Sequence, residues 1–241
     1  MSELKIPTEE ISLPSKGLLY AEDNPLSKGV VEIKYMTARE EDILTNQSYI
    51  QKGNVLDKLL ESLVVSEINV DDLVVGDKNA VLIAARVLGY GGDYKFSLGG
   101  EEQNVNLGEL ENKYFDEAAI TPGKNEFEFE LPFSKNKVTY KILTGHDEKK
   151  LEAELKGLKK MSPNSSQDLT TRLKYIITSV NGDSSVKSIR EFVDKFLLAR
   201  DSRALREEIK NIQPDVDLTF VSDSGQEATI PINLNFFWPD L

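Results

Sequence analysis

The chain has one imidazole, His146, set in Thr144-Gly-His-Asp147. Histidine is the side chain whose charge changes nearest neutral pH, so a Ser-His-Asp catalyst or a proton relay would have to be built on it. Asp147 and Glu148 follow it directly. Acids in that position mark the first turn of a helix, where the dipole favours negative charge. The spacing therefore reads His146 as a loop or cap residue, and a hydrolase acting through His146 is the enzymatic alternative.

Other constellations fit chemistry less well. Asp71-Asp72 lacks the alternating Asp/Asn and glycine spacing of a calcium loop, and with no cysteine and one histidine no closed metal site can be assembled from the sequence. Gly89-Tyr-Gly-Gly-Asp93 superficially suggests a phosphate-cradling loop. The dinucleotide fingerprint must follow a strand and open a helix, whereas here the glycines follow a helical pattern and read as its stop. Glu126, Glu128 and Glu130 alternate with Phe127 and Phe129. Period two sends the acids to one sheet face and the rings to the other, which is a solvated face rather than a paired-carboxylate site for sugar hydrolysis. No catalytic residue, cofactor site or metal site is expected.

Two apolar segments stand apart from these. The closing Phe236-Phe237-Trp238-Pro239 carries three large aromatics, which would bury roughly 150–250 Å² each once docked. The first 34 residues hold Pro7, Pro14, Pro25, Gly17 and Gly29, with Ile11, Leu13, Leu18, Leu19 and Tyr20 following no helical period. They read as an extended arm. Arm and tail both need a surface to cover, either the molecule's own body or a neighbour.

Between these ends the elements that must hold them are legible. Thr37-Ala-Arg-Glu40 is a capping box. Val55, Leu56, Leu59, Leu60 and Leu63 recur at helical spacing, and Asp77 is placed as the cap of an apolar helix over 78–88 that Gly89 ends. Alternation over 94–98 with 104–107, and 126–130 with 137–143, predicts two hairpins. Helices are expected over 147–160, 168–180, 185–198 and 202–212, and a third hairpin over 216–221 and 227–234. The organisation is thus an N-terminal arm (1–34), a helical block (35–90), an antiparallel β insertion (91–146), a second helical block (147–213) packing with the first, and a C-terminal hairpin with the aromatic tail (214–241). The fold class is α+β: a helical body, a small antiparallel hairpin insertion and a C-terminal hairpin.

Composition narrows the function classes. The chain has 241 residues, 41 acidic and 29 basic side chains, a net charge of −12 and no cysteine. Disulfides and thiolate chemistry are out, and a reducing cytoplasm suits such a chain. Residues 1–146 carry 25 acids against 15 bases and residues 147–241 carry 16 against 14. Nucleic acid and anionic membrane are poor partners for that balance. No run of apolar residues approaches the length that spans a bilayer, and the start has no signal-peptide pattern.

Four segments taken together, Leu13-Pro-Ser-Lys-Gly-Leu-Leu-Tyr20, Val31-Glu-Ile-Lys-Tyr-Met-Thr-Ala-Arg-Glu-Glu-Asp-Ile-Leu44, Gly76-Asp-Lys-Asn-Ala-Val-Leu-Ile-Ala-Ala-Arg-Val-Leu-Gly-Tyr90 and Phe236-Phe-Trp-Pro239, resemble the baseplate hub protein family of T-even-like myoviruses, from near residue 13 to the end. The resemblance implies a non-enzymatic bacteriophage protein of the contractile tail, either a baseplate hub subunit or a transient chaperone of hub assembly absent from the finished virion. It would be found in the virion tail baseplate, or in the host cytoplasm during assembly. Its partners would be other hub or tail proteins. Some members carry Cys-x-x-Cys zinc knuckles in hairpin turns near positions matching Ser97 to Gly100 and Val221 to Ser224. This chain has no cysteine at either place, so the resemblance carries no metal to it.

The residues expected to make protein contacts are Leu13, Pro14, Lys16, Gly17, Leu18 and Tyr20 in the arm, Met36, Arg39, Glu40 and Glu41 at the capped helix start, and Phe236, Phe237 and Trp238 in the tail. Arm and tail would be apolar anchors, and Arg39, Glu40 and Glu41 would pair with charges on a neighbour.

Overall fold

The computed structural model describes residues 6–161, 167–222 and 225–237. The chain is α+β, with helices around one continuous hydrophobic core and small antiparallel sheets of two or three strands at its margins.

The N-terminal segment is a closed hairpin, not an extended arm. Strand β1 (Thr8–Ser12) pairs antiparallel with β2 (Val30–Lys34). The intervening residues fold into successive turns, with Lys16 N–H donating to Leu13 O, Leu18 N–H to Ser15 O and Leu13 N–H to Gly29 O. Two features the prolines did not reveal make this closure possible. Lys16 and Gly17 both take positive φ, +53° and +80°, and a Cβ on Gly17 would lie 2.2 Å from the Ser27 carbonyl oxygen, so only glycine admits the approach. The apolar side chains are consumed inside: Leu13, Leu19, Tyr20 and Leu26 are buried in the chain's own core.

Helix α1 (Ala38–Thr45) starts at the expected capping box, with the Thr37 hydroxyl accepting from the Arg39 amide and the Glu40 carboxylate accepting from the Thr37 amide. Asn46 caps α2 (Gln47–Lys52), and α3 (Val55–Leu63) buries Val55, Leu59, Leu60 and Leu63 on one face, as their spacing predicts. Asn54 sits at the start of α3 but makes no capping bond.

The central helix α4 (Val75–Tyr90) is longer at both ends than 78–88. Asp77 lies inside its first turn rather than capping it, and the helix runs past Gly89 to end at Gly91, whose N–H donates to Val87 O. Gly76 lets the helix start against the other half of the chain: a Cβ there would fall 1.9 Å from the Pro214 carbonyl oxygen.

The two predicted hairpins form as β3 (Asp93–Leu98) with β4 (Glu101–Asn106) and β5 (Phe127–Glu130) with β6 (Lys137–Tyr140). Gly99 and Gly100, both at positive φ, make the first two-residue turn. Glu126, Glu128 and Glu130 are exposed while Phe127 is buried, as the alternation requires.

In the second block α5 spans Gly145–Met161 and α6 spans Asp168–Ile176. The helix expected to reach residue 180 stops at Ile176, and Ile177–Val180 become β7, which pairs with β6 to complete a three-stranded sheet in the order β5-β6-β7. The β-branched residues Ile177, Thr178 and Val180 suit a pleated strand, and β6 supplies a pairing partner that no local pattern announces. Helices α7 (Val186–Lys195) and α8 (Ala199–Ile212) follow. The C-terminal hairpin has shorter strands than expected, β8 (Thr219–Val221) and β9 (Glu227–Thr229), and a 3₁₀ turn over Leu234–Phe237 returns the chain to α4.

The blocks are joined through the backbone between α4 and α5. Val75 N–H donates to Leu143 O, Gly145 N–H donates to Leu73 O, and the Lys156 ammonium reaches Lys52 O at 3.1 Å.

Candidate functional site

The segments expected to make contacts converge on α4. The Ser15 amide and hydroxyl donate to the two Asp77 carboxylate oxygens at 2.9 and 2.6 Å, and the Tyr20 hydroxyl donates to Oδ2 at 2.6 Å. The Val74 amide in turn donates to the Tyr20 oxygen at 3.0 Å. Burial pushes the Asp77 carboxyl above the usual range, the three bonds from Ser15 and Tyr20 opposing it. Burial likewise raises the Tyr20 phenol, helped by the Asp77 charge. This network is sealed from solvent, with Ser15 and Asp77 fully buried.

Met36 packs its methyl over Gly89, where an added Cβ would lie 2.1 Å from it. Glu40, also fully buried, accepts from the Thr37 hydroxyl at 2.7 Å, the Lys34 ammonium at 2.9 Å and the Ser62 hydroxyl at 2.7 Å. Burial would raise its carboxyl, but those donors outweigh it and hold it at about 2. Glu41 accepts from the Tyr90 hydroxyl at 3.2 Å.

The tail is held by a side chain that sequence reasoning passed over. Arg86, 1% exposed, donates from Nε to Phe236 O at 2.9 Å and from its terminal nitrogens to Gly91 O at 2.7 Å and Asp93 O at 3.0 Å. A lone cation within Ala80 to Val87, otherwise apolar, was the available signal: such a charge must find partners inside. Phe236 also meets Tyr94 edge-on at 4.9 Å and Phe237 at 5.4 Å, and Phe96 meets Phe220 at 5.1 Å, so β3 and the C-terminal hairpin share one aromatic cluster.

For the arm and for Phe236 and Phe237 these positions realise the alternative in which the chain's own body is the surface they cover. Leu13, Pro14, Gly17, Tyr20, Glu40, Phe236 and Phe237 are buried within the chain's own interior, because each finds a partner on α4 or in the core around it. Leu18 and Met36 are half-buried. Lys16, Arg39 and Glu41 remain exposed, with Lys16 paired to Glu117. Trp238 lies outside the described residues.

His146 is the second residue of α5. Its Nε2 lies 3.1 Å from Asp72 Oδ1 and 3.3 Å from Asn69 Nδ2, and its Nδ1 lies 4.0 Å from Asp71 Oδ2. Asp71 also pairs with Lys149 at 2.6 Å, which reaches Asp57 at 3.7 Å, and Asp57 pairs with Lys78. The imidazole thus stands at the end of a mesh of alternating charges that ties α5 to α3 and α4. Its hydrogen-bond partners are the Asp72 carboxylate and the Asn69 carboxamide, so these contacts tie the start of α5 to residues 69–72. Among the described residues, no group of three or more carboxylate or imidazole side chains could hold a metal ion. Also among them, no helix is long and apolar enough to cross a membrane.

Of the turns where the resemblance would place zinc knuckles, Gly99 and Gln226 are neighbours: a Cβ on Gly99 would lie 3.7 Å from Gln226 Oε1. Residues 223–224 of the second turn lie outside the described residues.

Searches against family models, curated proteins and solved structures each found no match to this chain.

Proposed function

We propose that this chain is a non-enzymatic protein of a contractile phage tail, a baseplate hub subunit that contributes to hub assembly through protein–protein contacts. One observation carries the reading. Three of the segments that resemble the hub family meet on α4, which carries the fourth: Tyr20 of the first through Asp77, Met36 and Glu41 of the second through Gly89 and Tyr90, and Phe236 of the last through Arg86, 150 residues away. Motifs that form one packed unit describe a common scaffold more strongly than four unrelated matches would. The contact surface on this reading is what the scaffold leaves outside, beginning with Lys16, Arg39 and Glu41. The partners are other hub or tail proteins.

The test is affinity capture of the tagged full chain from infected cells, with partners identified by mass spectrometry and copies counted in purified particles. Tail proteins in the eluate and a fixed copy number in virions support a subunit. Capture together with absence from virions points to a transient assembly chaperone. Failure to capture any tail protein, or turnover of a small molecule that His146→Ala abolishes, overturns the reading.

A further inference from the structure

The three-stranded sheet has an unpaired edge. In the order β5-β6-β7, strand β5 has β6 alone as its neighbour. Leu131 N–H donates to Asn136 O at 2.9 Å, which fixes the phase of the β5–β6 ladder. Counting back in twos, Phe129 and Phe127 face Val138 and Tyr140 in hydrogen-bonded positions, so Glu128 and Glu130 turn their N–H and C=O groups away from β6. Among the described residues no backbone donor or acceptor meets those outward groups.

This edge is held at both ends. At its start the Asn125 carboxamide bonds the C=O and N–H of Ile142 at 2.7 and 2.8 Å. Beyond its end the Asp201 carboxylate accepts from the Phe133 and Ser134 amides at 2.8 and 3.0 Å. A strand so pinned presents its free donors and acceptors already in order.

The side chains decide what can pair with it. Phe127 is buried and Phe129 half-buried on one face, while Glu126, Glu128 and Glu130 are exposed on the other. Glu126 and Glu128 make no ion pair or side-chain hydrogen bond with any described residue. Glu130 has one loose pair, with Lys135 at 3.8 Å, and lies opposite Lys137. The glutamate face borders a hollow of about 550 Å³ lined by Glu128, Glu130, Thr139, Ser179 and Asn181, which leaves room for long side chains. A second copy joined through its own β5 fits poorly. It would set glutamate against glutamate, and a slip of one residue would turn its Phe127 and Phe129 out to water.

We propose that β5 accepts an extended segment of a partner polypeptide as a fourth strand, with basic residues opposite Glu126 and Glu128 and aliphatic residues between them in line with Phe127 and Phe129. The open main-chain groups select a strand, and the unpartnered carboxylates select its charge. The proposal rests on the reading of the chain as a protein-contact component and names the chemistry of one partner.

Fluorescence anisotropy of the full chain is measured with labelled Lys-Val-Lys-Val-Lys-Val-Lys, capped at both ends. A chain of net charge −12 attracts any cation, so both controls keep the charge. One is the same peptide N-methylated at its lysine amides, which cannot donate to the edge, and the other is Lys-Lys-Val-Val-Val-Lys-Lys, which loses the alternation. The alternating peptide is expected to bind at least tenfold more tightly than either, and to slow hydrogen exchange of the Glu128 amide at least tenfold. Glu128→Lys is expected to weaken binding at least tenfold with thermal unfolding unchanged, whereas Glu67→Lys, at another exposed site, leaves it unaffected. Glu128→Pro, which removes an N–H that the fold does not use, is expected to weaken it as much; if that variant fails to fold, Glu128→Lys carries the test. Equal binding of the three peptides, no loss in Glu128→Lys, or an unprotected Glu128 amide overturns the proposal. So does a free chain that sediments as a dimer and becomes monomeric with Glu128→Lys. Peptide binding without capture of any tail protein retains the edge and discards the hub assignment, and capture without peptide binding does the reverse.

Discussion

Arg86 and Phe236 lie 150 residues apart and are joined by a single hydrogen bond, from the guanidinium Nε to the Phe236 carbonyl oxygen at 2.9 Å. The same guanidinium satisfies the carbonyls of Gly91 and Asp93 at the end of α4. One side chain therefore closes three main-chain acceptors and fixes the aromatic tail to the central helix. Burial lowers the Arg86 pKa, yet guanidinium stays charged under all ordinary conditions.

Arg86→Lys keeps the charge and loses the fork. An ammonium cannot reach three carbonyls set around a planar group, so buried acceptors are left open at about 1–3 kcal/mol each where water cannot enter. Urea unfolding should show a loss of roughly 2–4 kcal/mol. A loss below about 0.5 kcal/mol would mean that the latch contributes nothing.

Tyr20→Phe removes one hydroxyl, strands the Val74 amide that donates to it and leaves Asp77 Oδ2 with the Ser15 hydroxyl as its remaining donor. Both are buried. A destabilisation of about 2–3 kcal/mol is expected by denaturant titration. Ser15→Ala, which leaves its backbone bond to Asp77 in place, should cost less.

The Glu40 carboxyl titrates at about 2 in the folded chain against 4.5 as its ordinary value. A depressed folded value means that the group stabilises the fold fully above pH 4.5 and loses that contribution as pH falls toward 2. The full shift corresponds to about 3 kcal/mol. Unfolding free energy measured from pH 6 to pH 2 should fall across this window, and in Glu40→Gln the decline should be shallower by about that amount. Parallel profiles would refute the assignment.

Gly17→Ala and Gly100→Ala separate steric closure from backbone strain. Both residues have positive φ, but a Cβ on Gly17 meets backbone at 2.2 Å while one on Gly100 meets nothing within 4 Å. Gly100→Ala should cost about 1 kcal/mol. Gly17→Ala should exceed about 3 kcal/mol, since backbone on both sides must shift. Thermal melts of the two variants give the comparison.

His146→Ala removes a half-exposed partner from an ion mesh in which Lys149 and Asp71 remain paired. Exposed pairs contribute little, so stability should change by less than about 1 kcal/mol, and under the proposed function capture of tail proteins should be unaltered. Loss of assembly with an intact fold would return the imidazole to an active role.

The amino-acid sequence alone determined the features that act over a turn or a pair of neighbouring strands. The Thr37–Glu40 capping box, the buried face of α3 and the alternation of Phe127 and Phe129 with their glutamates depend on residues within a few positions of one another, and those contacts form wherever the segment lies. Tertiary structure decided what needed a distant partner. Asp77 has the type and place of a helix cap, but Ser15 and Tyr20 arrive from 62 and 57 residues away to make it a buried junction. Residues 177–180 suit a helix end or a strand about equally, and pairing with β6 chose the strand. Leu13, Phe236 and Phe237 announced only that something must cover them. That the chain's own core does so follows from closing the N-terminal hairpin and the tail onto α4. The physical reason is that burial and long-range hydrogen bonding depend on which surfaces meet in space, and spacing along a chain records only which residues are adjacent in it.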